Sequence, residues 1–331
     1  MRFAFLILLL PIFSTWLRGQ TSVTGPVEAL TFDAPTRSVR AVIGVPGAAS
    51  FGPALLDNLD LASVAPGQSY GLVFEGGECF FVSGLGSKIN KARVQNAQAS
   101  PQGIQWAAGG SLAILYSRTG NWFQTITGFP AAPAAGAVVD VAPLGASLSA
   151  IASDGPGKQI AAAVTGDQGG VYLYSGGQFT RLAALANPVS LSFSSDGKTL
   201  YALDAAVPQV TAITIASDAF ENFVLPGMNN PIAIQAALDS ASRAVLYVAG
   251  GSDRSLRVLD TSSGQDAADI ALLFPPTGIA PFGATSFVLA GRSQAANPLW
   301  LLSNSAAPRV YFVPAVQLRS PDRSLNAGRT R

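Results

Sequence analysis

The chain has 331 residues, of which 49% are hydrophobic and only 12% are charged, and its 20 basic and 19 acidic side chains leave a net charge of +1. It contains no histidine and one cysteine, Cys79. The missing histidine excludes a Ser-His-Asp or Cys-His catalytic site and any histidine-ligated zinc or haem in this chain. The single cysteine excludes an intrachain disulfide and a multi-cysteine metal cluster.

The first residues have the layout of a targeting segment. Arg2 precedes an apolar run over residues 3–13, and polar sequence begins at Thr21. The run is too short for an ordinary transmembrane helix, and no second apolar span of that kind follows. We therefore predict a secretory signal peptide over residues 1–19, with an uncleaved N-terminal anchor as the alternative. The expected location is the periplasm, the extracellular space or the cell envelope.

The basic charge belongs to the two ends of the chain. Residues 319–331 hold four Arg and one Asp, and the signal segment holds Arg2 and Arg18. The body between them carries 14 basic and 18 acidic residues, so it lacks the basic surplus that nucleic-acid binding requires. We predict no nucleic-acid partner, and a disordered basic tail over residues 319–331. Contact of that tail with an acidic cell-surface polymer is the alternative interpretation.

A repeat of three or four short strands runs through the body. In its clearest unit, Val189, Leu191 and Phe193 alternate with serines, as in a half-buried strand. Asp196-Gly197 then indicates a tight hairpin turn, and apolar segments at 200–203, 210–215 and 220–225 follow. Similar units start near 148 and 231, and weaker ones cover the remaining sequence.

Equivalent first-strand positions recur at intervals of 32 to 47 residues; they are Leu30, Ala62, Ile104, Ile151, Leu191, Ile234 and Ala280. Units of that length with four short strands are typical of propeller blades. We predict an all-β fold with a single β-propeller domain over residues 20–318. The blades number seven, with six or eight as alternatives, and each is a four-stranded antiparallel sheet. For ring closure we expect residues 21–24 to pair with 309–313 in the last blade, or the first and last blades to pack face to face.

The best-preserved unit also resembles the YVTN-type repeats of bacterial seven-bladed propellers, which are WD-repeat-like in architecture. The resemblance rests on residues 193–202, Phe-Ser-Ser-Asp-Gly-Lys-Thr-Leu-Tyr-Ala, and on Leu246-Tyr247-Val248. It covers about a third of the chain and implies the fold. Propellers of this kind include haem proteins, quinoprotein dehydrogenases, lactonases and interaction scaffolds. The first two generally depend on histidine or other specific ligands, and the Gly-His and Trp-Asp signatures of WD repeats are absent here.

Acidic and glycine-rich loops between the second and third strands are the candidate ligand-binding elements. They place Asp167, Asp204, Asp253 and Arg254 on one rim of the disc. Carboxylates from adjacent blades could converge there and bind calcium, although plain loop turns are the simpler interpretation. No other cofactor is expected, and no catalytic residue is predicted.

Two further groups of side chains have a chemical and a structural interpretation. Glu75 and Glu78 could act as an acid-base pair or bind a cation, but a solvated hairpin is the simpler interpretation. We expect Cys79 to be a buried thiol. Aromatic side chains could stack on sugars, but they fit the core between blades better; they are Trp106, Trp122, Phe123 and Trp300.

These observations favour an exported, non-catalytic and monomeric scaffold that binds a protein, a glycan or a small ligand through its rim loops. The alternative is a cation-assisted, carboxylate-based hydrolase or lyase of the lactonase kind at the central channel. That alternative predicts Asp, Glu and Arg at the channel mouth, whereas a channel lined by Ala, Ser and Gly argues against it. A purely structural envelope protein is the third hypothesis.

Overall fold

A computed structural model describes residues 25–217 and 219–315. The predicted signal peptide, the expected closing segment at 21–24 and the predicted basic tail lie outside these residues. Helix in the described chain is limited to two 3-10 turns, Ala34–Thr36 and Ala142–Leu144. No helix in that part is long and apolar enough to cross a membrane.

The described strands form seven antiparallel sheets, each built from consecutive strands of the chain. Blade 1 contains β1 (Val27–Asp33), β2 (Ser38–Ile43) and β3 (Ser50–Leu56). Blade 2 contains β4 (Leu61–Val64), β5 (Tyr70–Glu75), β6 (Glu78–Ser83) and β7 (Asn90–Arg93). Blade 3 contains β8 (Gly103–Trp106), β9 (Leu112–Ser117), β10 (Trp122–Thr127) and β11 (Ala134–Asp140). Blade 4 contains β12 (Ser147–Ser153), β13 (Ile160–Thr165), β14 (Gly170–Ser175) and β15 (Gln178–Ala184). Blade 5 contains β16 (Pro188–Phe193), β17 (Thr199–Asp204), β18 (Gln209–Thr214) and β19 (Ala219–Val224). Blade 6 contains β20 (Pro231–Leu238), β21 (Ala244–Gly250), β22 (Ser255–Asp260) and β23 (Asp266–Ala271). Blade 7 contains β24 (Ala280–Phe282), β25 (Ser286–Ala290), β26 (Leu299–Ser303) and β27 (Val310–Val313).

The predicted seven-bladed β-propeller is confirmed. Seven apolar clusters each join one pair of neighbouring blades, including the last blade to the first. Every sheet is thus packed on both faces, which accounts for the high apolar fraction of the chain. The second strands are the most deeply buried; in β13, for example, five of the six residues are buried.

Asp-Gly turns join first and second strands as predicted. Asp196 accepts hydrogen bonds from the Ser194 hydroxyl at 2.7 Å and from the Lys198 amide at 3.1 Å. The Ser194 bond, followed by the Lys198 amide, lowers the pKa of this carboxyl below its usual value. Asp154 binds the amides of Lys158 and Gln159 in the same way. These carboxylates shape turns, which confirms the structural interpretation of the motif.

Alternating strand directions give the disc two different rims. The lower rim carries the turns between first and second strands, such as residues 154–159 and 194–198. The upper rim carries the turns between second and third strands, such as 166–169 and 205–208, and the connections between blades. The predicted rim loops and the Asp-Gly turns therefore lie at opposite ends of the channel.

The described part of blade 1 contains three strands. Glu28, at the start of β1, bonds to Ser286 at the start of β25, whereas Asp33, at the end of β1, binds Arg292 just beyond β25. The strand β1 therefore runs from the lower to the upper rim, as second strands do. Leu30 was expected in a first strand, but it lies in a strand of second-strand direction. The short interval of 32 residues to the next unit has the same origin.

The seam between blades 1 and 7 joins residues far apart in the chain. Its apolar part includes Ala29, Val42, Phe282 and Leu301. Its polar part includes the ion pair between Asp33 and Arg292, at 2.7 Å, with side chains only 0% and 2% exposed. Direct packing of the first and last blades, one of the two expected modes of closure, is thus present.

We predict that Arg292→Met destabilises the fold by about 3 kcal/mol, because it leaves the buried Asp33 carboxylate with the Thr36 hydroxyl and a single, more distant cation, Arg40, at 3.6 Å. Chemical denaturation followed by tryptophan fluorescence measures this loss. The control is Lys198→Ala, which breaks an ion pair whose side chains are 81% and 55% exposed, and should cost less than about 1 kcal/mol. Equal losses in the two variants would show that the seam does not depend on this pair.

Candidate functional site

A cavity in the described structure lies in the central channel and opens at the lower rim. Its volume is about 620 Å³, within the range of small-ligand sites. First strands and the turns that follow them supply the lining. Six of the seven blades contribute, and blade 1 contributes none of the described lining residues.

The described lining combines polar and apolar surface in similar amounts and carries no ionisable side chain. Alanine, serine and glycine make up more than half of it. Its amide groups come from three different blades, at Gln68, Gln105 and Gln235, and its aromatic groups from Trp106 and Phe287 among others. Sequence analysis placed the site on the rim loops and missed these amides. The alternation of polar and apolar residues in the first strands could have indicated these amides, because the polar face of such a strand turns to the channel.

Two serine hydroxyls of β16 hold neighbouring blades together, and one of them, that of Ser192, also lines the cavity. Ser190 and Ser192 on β16 accept hydrogen bonds from the backbone amides of Ile234 and Ala236 on β20, at 3.1 and 2.9 Å. Each serine hydroxyl keeps its own proton for a further bond. The inner edge of β20 is therefore satisfied by short side chains instead of by another strand.

The aromatic candidates divide between core and cavity. Phe123 is fully buried, and Trp300 stacks on Phe274 with a centroid separation of 4.2 Å. Trp106 packs on Phe129 at 4.9 Å and donates from Nε1 to Ser63 Oγ at 3.1 Å, while part of its surface lines the cavity. The predicted role in the core is confirmed for Phe123 and Trp300, and Trp106 serves both the core and the cavity wall.

Two of the predicted rim residues use their carboxylates to bind backbone amides. Asp204 is 2% exposed and accepts from the amides of Ala186, Asn187 and Ala206 at 2.9 to 3.1 Å. Asp253 accepts from two amides, at residues 229 and 230, at 2.7 and 3.1 Å. Each carboxylate ties an upper-rim turn to the residues that precede the first strand of its own blade.

The other two predicted residues, Asp167 and Arg254, are exposed on the upper rim. None of the four rim candidates is part of the described cavity lining, which ends at the lower rim. No group of three or more metal-ligating side chains occurs among residues 25–217 and 219–315. A calcium site on these loops stays a prediction, and the carboxylate of Asp204 is already occupied by amides.

The acidic hairpin of blade 2 is a surface element. Glu75 pairs with Lys91, and Glu78 pairs with Arg93 at 2.8 Å, and all four side chains are at least one-third exposed. Cys79 is 3% exposed, and burial raises the pKa of its thiol to about 12. Its thiolate fraction at neutral pH is therefore negligible, which fits the predicted buried thiol.

We predict that Asp204→Ala destabilises the protein by about 2 kcal/mol, because three amides lose a charged acceptor in a buried turn. Asp167→Ala, at the equivalent loop of blade 4, should change the stability by less than about 0.5 kcal/mol. Thermal unfolding with and without added calcium measures both effects. A calcium-dependent rise in Tm that Asp167→Ala abolishes would contradict the purely structural interpretation of these loops.

Comparison with known proteins supports the fold alone. No family model and no curated protein sequence matches the chain. Among solved structures, a mitotic checkpoint complex chain has 13% identity and a TM-score of 0.56, with 96% of this chain and 90% of that chain covered. A putative 6-phosphogluconolactonase from Bacteroides fragilis has 12% identity and a TM-score of 0.59, with coverage of 87% and 95%. The dihydro-heme d1 dehydrogenase NirN has 13% identity and a TM-score of 0.55, and the match covers 87% of this chain but only 65% of NirN. At these identities the shared feature is the propeller architecture.

Proposed function

We propose that this chain is a monomeric propeller scaffold that binds an uncharged, hydroxyl-rich ligand, such as a neutral glycan, at the lower-rim mouth of the channel. One observation carries the proposal, namely a cavity of about 620 Å³ whose described lining has amides, hydroxyls and aromatic surfaces but no ionisable side chain.

The chemistry of the lining selects against a charged ligand. Transfer of an ion from water into such a cavity costs several kcal/mol unless an opposite charge meets it. Amides and hydroxyls, by contrast, donate and accept hydrogen bonds without charge, as the hydroxyls of a sugar require. Gln105 suits this role, because it is half-buried on β8 at the cavity wall.

The hydrolase alternative requires carboxylates or arginines at the channel mouth. The described lining supplies neither, and the likeness to a putative lactonase rests on 12% identity. The proposal therefore follows the binding hypothesis. We also place the chain with the bacterial YVTN-type propellers, on the strength of the repeat at residues 193–202.

We predict that Gln105→Glu weakens binding of a neutral oligosaccharide about tenfold, because it removes an amide donor and adds an unpaired charge, a loss of about 1.4 kcal/mol. Microcalorimetry with soluble oligomers of glucose, galactose and N-acetylglucosamine, and with uronic acid oligomers for comparison, provides the measurement. Gln178→Glu is the control, because Gln178 is exposed on an outer strand. Binding of the acidic oligomers alone, or equal effects of the two variants, would refute the proposal.

We further propose that the chain is exported, on the evidence of the apolar run at residues 3–13. Expression of the full chain in a bacterium, followed by cell fractionation and N-terminal sequencing, should yield a mature product that begins near residue 20. A Leu8→Arg, Leu9→Arg variant should stay in the cytoplasm at full length, because two charges interrupt the apolar run. Full-length wild-type protein in the cytoplasm would overturn this part of the proposal.

A further inference from the structure

We propose that the cavity holds one neutral oligosaccharide at two matching half-sites, which face each other across the channel. Half-site A consists of Ser63 and Gln105, and half-site B consists of Ser192 and Gln235. The ligand would then be a chain of at least two sugar units and not a monosaccharide. The inference rests on the proposed function, and it adds the length of the ligand and the residues that bind its second end.

One channel-facing position recurs in blades 2 to 7. In blades 2 to 5 and in blade 7 it lies one residue before the last pair of the hairpin formed by the first and second strands. In blade 6 the first strand is longer, and Gln235 is placed at the same level by its hydrogen bond to Ser192. All six residues at this position line the cavity; in chain order they are Ser63, Gln105, Ala152, Ser192, Gln235 and Pro281.

The order of residue types at this position repeats after three blades. Serine, glutamine and a residue without a polar side chain occupy blades 2, 3 and 4, and the same order of types occupies blades 5, 6 and 7. A shift of three blades in a ring of seven is close to half a turn. The two Ser-Gln pairs therefore lie on opposite walls of the channel. Ala152 lies between them on one side, and Pro281 lies between them on the other.

Half-site B has its hydrogen bonds arranged so that one donor and one acceptor remain. Gln235 Nε2 donates to Ser192 Oγ at 3.4 Å and to the Ala236 carbonyl at 3.0 Å. Ser192 Oγ also accepts from the Ala236 amide, at 2.9 Å. With these bonds made, the serine keeps its hydroxyl proton and the glutamine keeps its carbonyl oxygen for a ligand.

Half-site A offers the same groups in a different local setting. Ser63 Oγ accepts from Trp106 Nε1 at 3.1 Å, so its hydroxyl proton can also go to a ligand. Gln105 is half-buried on the neighbouring blade and contributes its amide to the same wall. Trp106 adds aromatic surface to the lining, on which the apolar face of a sugar ring can pack.

A sugar hydroxyl both donates and accepts, so it suits a serine donor beside a glutamine acceptor. A single sugar ring fills only part of a cavity of about 620 Å³ and would contact one half-site at a time. Once one unit of a chain is bound, a second linked unit meets the opposite half-site at a high effective concentration. Affinity should therefore rise with chain length until both half-sites are occupied.

A comparison of saccharides of different length tests the proposal. Microcalorimetry compares each monosaccharide with its linear oligomers of two to five units, in the glucose, galactose and N-acetylglucosamine series. We expect one oligomer to bind per protein chain, roughly tenfold or more tightly than the monosaccharide of its series. The gain should be complete at two or three units, because further units find no additional half-site.

Two variants remove one half-site each. Gln105→Leu and Gln235→Leu should both bind the oligomers about as weakly as the wild type binds the monosaccharide, because either change leaves a single half-site. Gln178→Leu, on an exposed part of an outer strand, is the matched control and should bind as the wild type does. Thermal unfolding of each variant shows whether the fold is retained, and Gln235→Met, with a flexible side chain of similar length, provides a second variant at that position.

The outcomes separate this inference from the proposed function. Equal affinity for monosaccharide and oligomers, or a loss confined to Gln105→Leu, would overturn the two half-sites and leave the proposed function standing. A lower Tm of Gln235→Leu and Gln235→Met without loss of affinity would assign Gln235 to blade contact alone and would overturn them as well. Failure of every neutral saccharide to bind would overturn the proposed function, and this inference with it.

Discussion

The buried pair of Asp33 and Arg292 lies at the one seam of the ring that no short connection spans. Elsewhere neighbouring blades are joined by a few residues, but these two are 259 positions apart. The entropic cost of closing a loop grows only slowly with the length of the loop. An apolar contact surface of ordinary size can therefore hold the seam together. The ion pair also fixes the alignment of the two blades. The Arg292 guanidinium is held by the carbonyls of residues 295 and 297, so it meets the Asp33 carboxylate in only one register.

A propeller must also satisfy the inner edge of each blade, and this requirement determines the chemistry of the channel. The amides of β20 bind serines from β16, and the Leu30 amide binds Gln68. Short hydroxyl and amide side chains perform this task without bringing unpaired charge into a partly enclosed space. A neutral, hydrogen-bonding channel wall is therefore a structural consequence of closing the ring, and it is the same surface that we propose receives a neutral ligand.

The fold was predictable from the sequence because hairpin signals such as Asp196-Gly197 and alternations such as that of residues 188–193 recur at intervals of 32 to 47 residues. The assignment of Leu30 to a first strand was wrong, since first and second strands both read as half-buried alternations and only contacts with Arg292 and Ser286 reveal the direction. The interval of 32 residues was the available warning. The cavity was not predictable from the sequence, because its lining comes from six separate blades. The two rims also look similar in sequence, so the sequence does not show at which rim the cavity opens.

Acidic residues in rim loops illustrate how a structural requirement can look like a binding site. Asp204 and Asp253 have the composition and loop context of ligand residues, yet their oxygens bind the amides that lead into β16 and β20. The same arrangement explains why Asp33 is unusual, because its Oδ1 has no such amides among the described residues although its Oδ2 is bound to arginine. A carboxylate in a rim loop is therefore evidence for a ligand site only where its oxygens are not already bound by the amides that lead into the first strand of its blade.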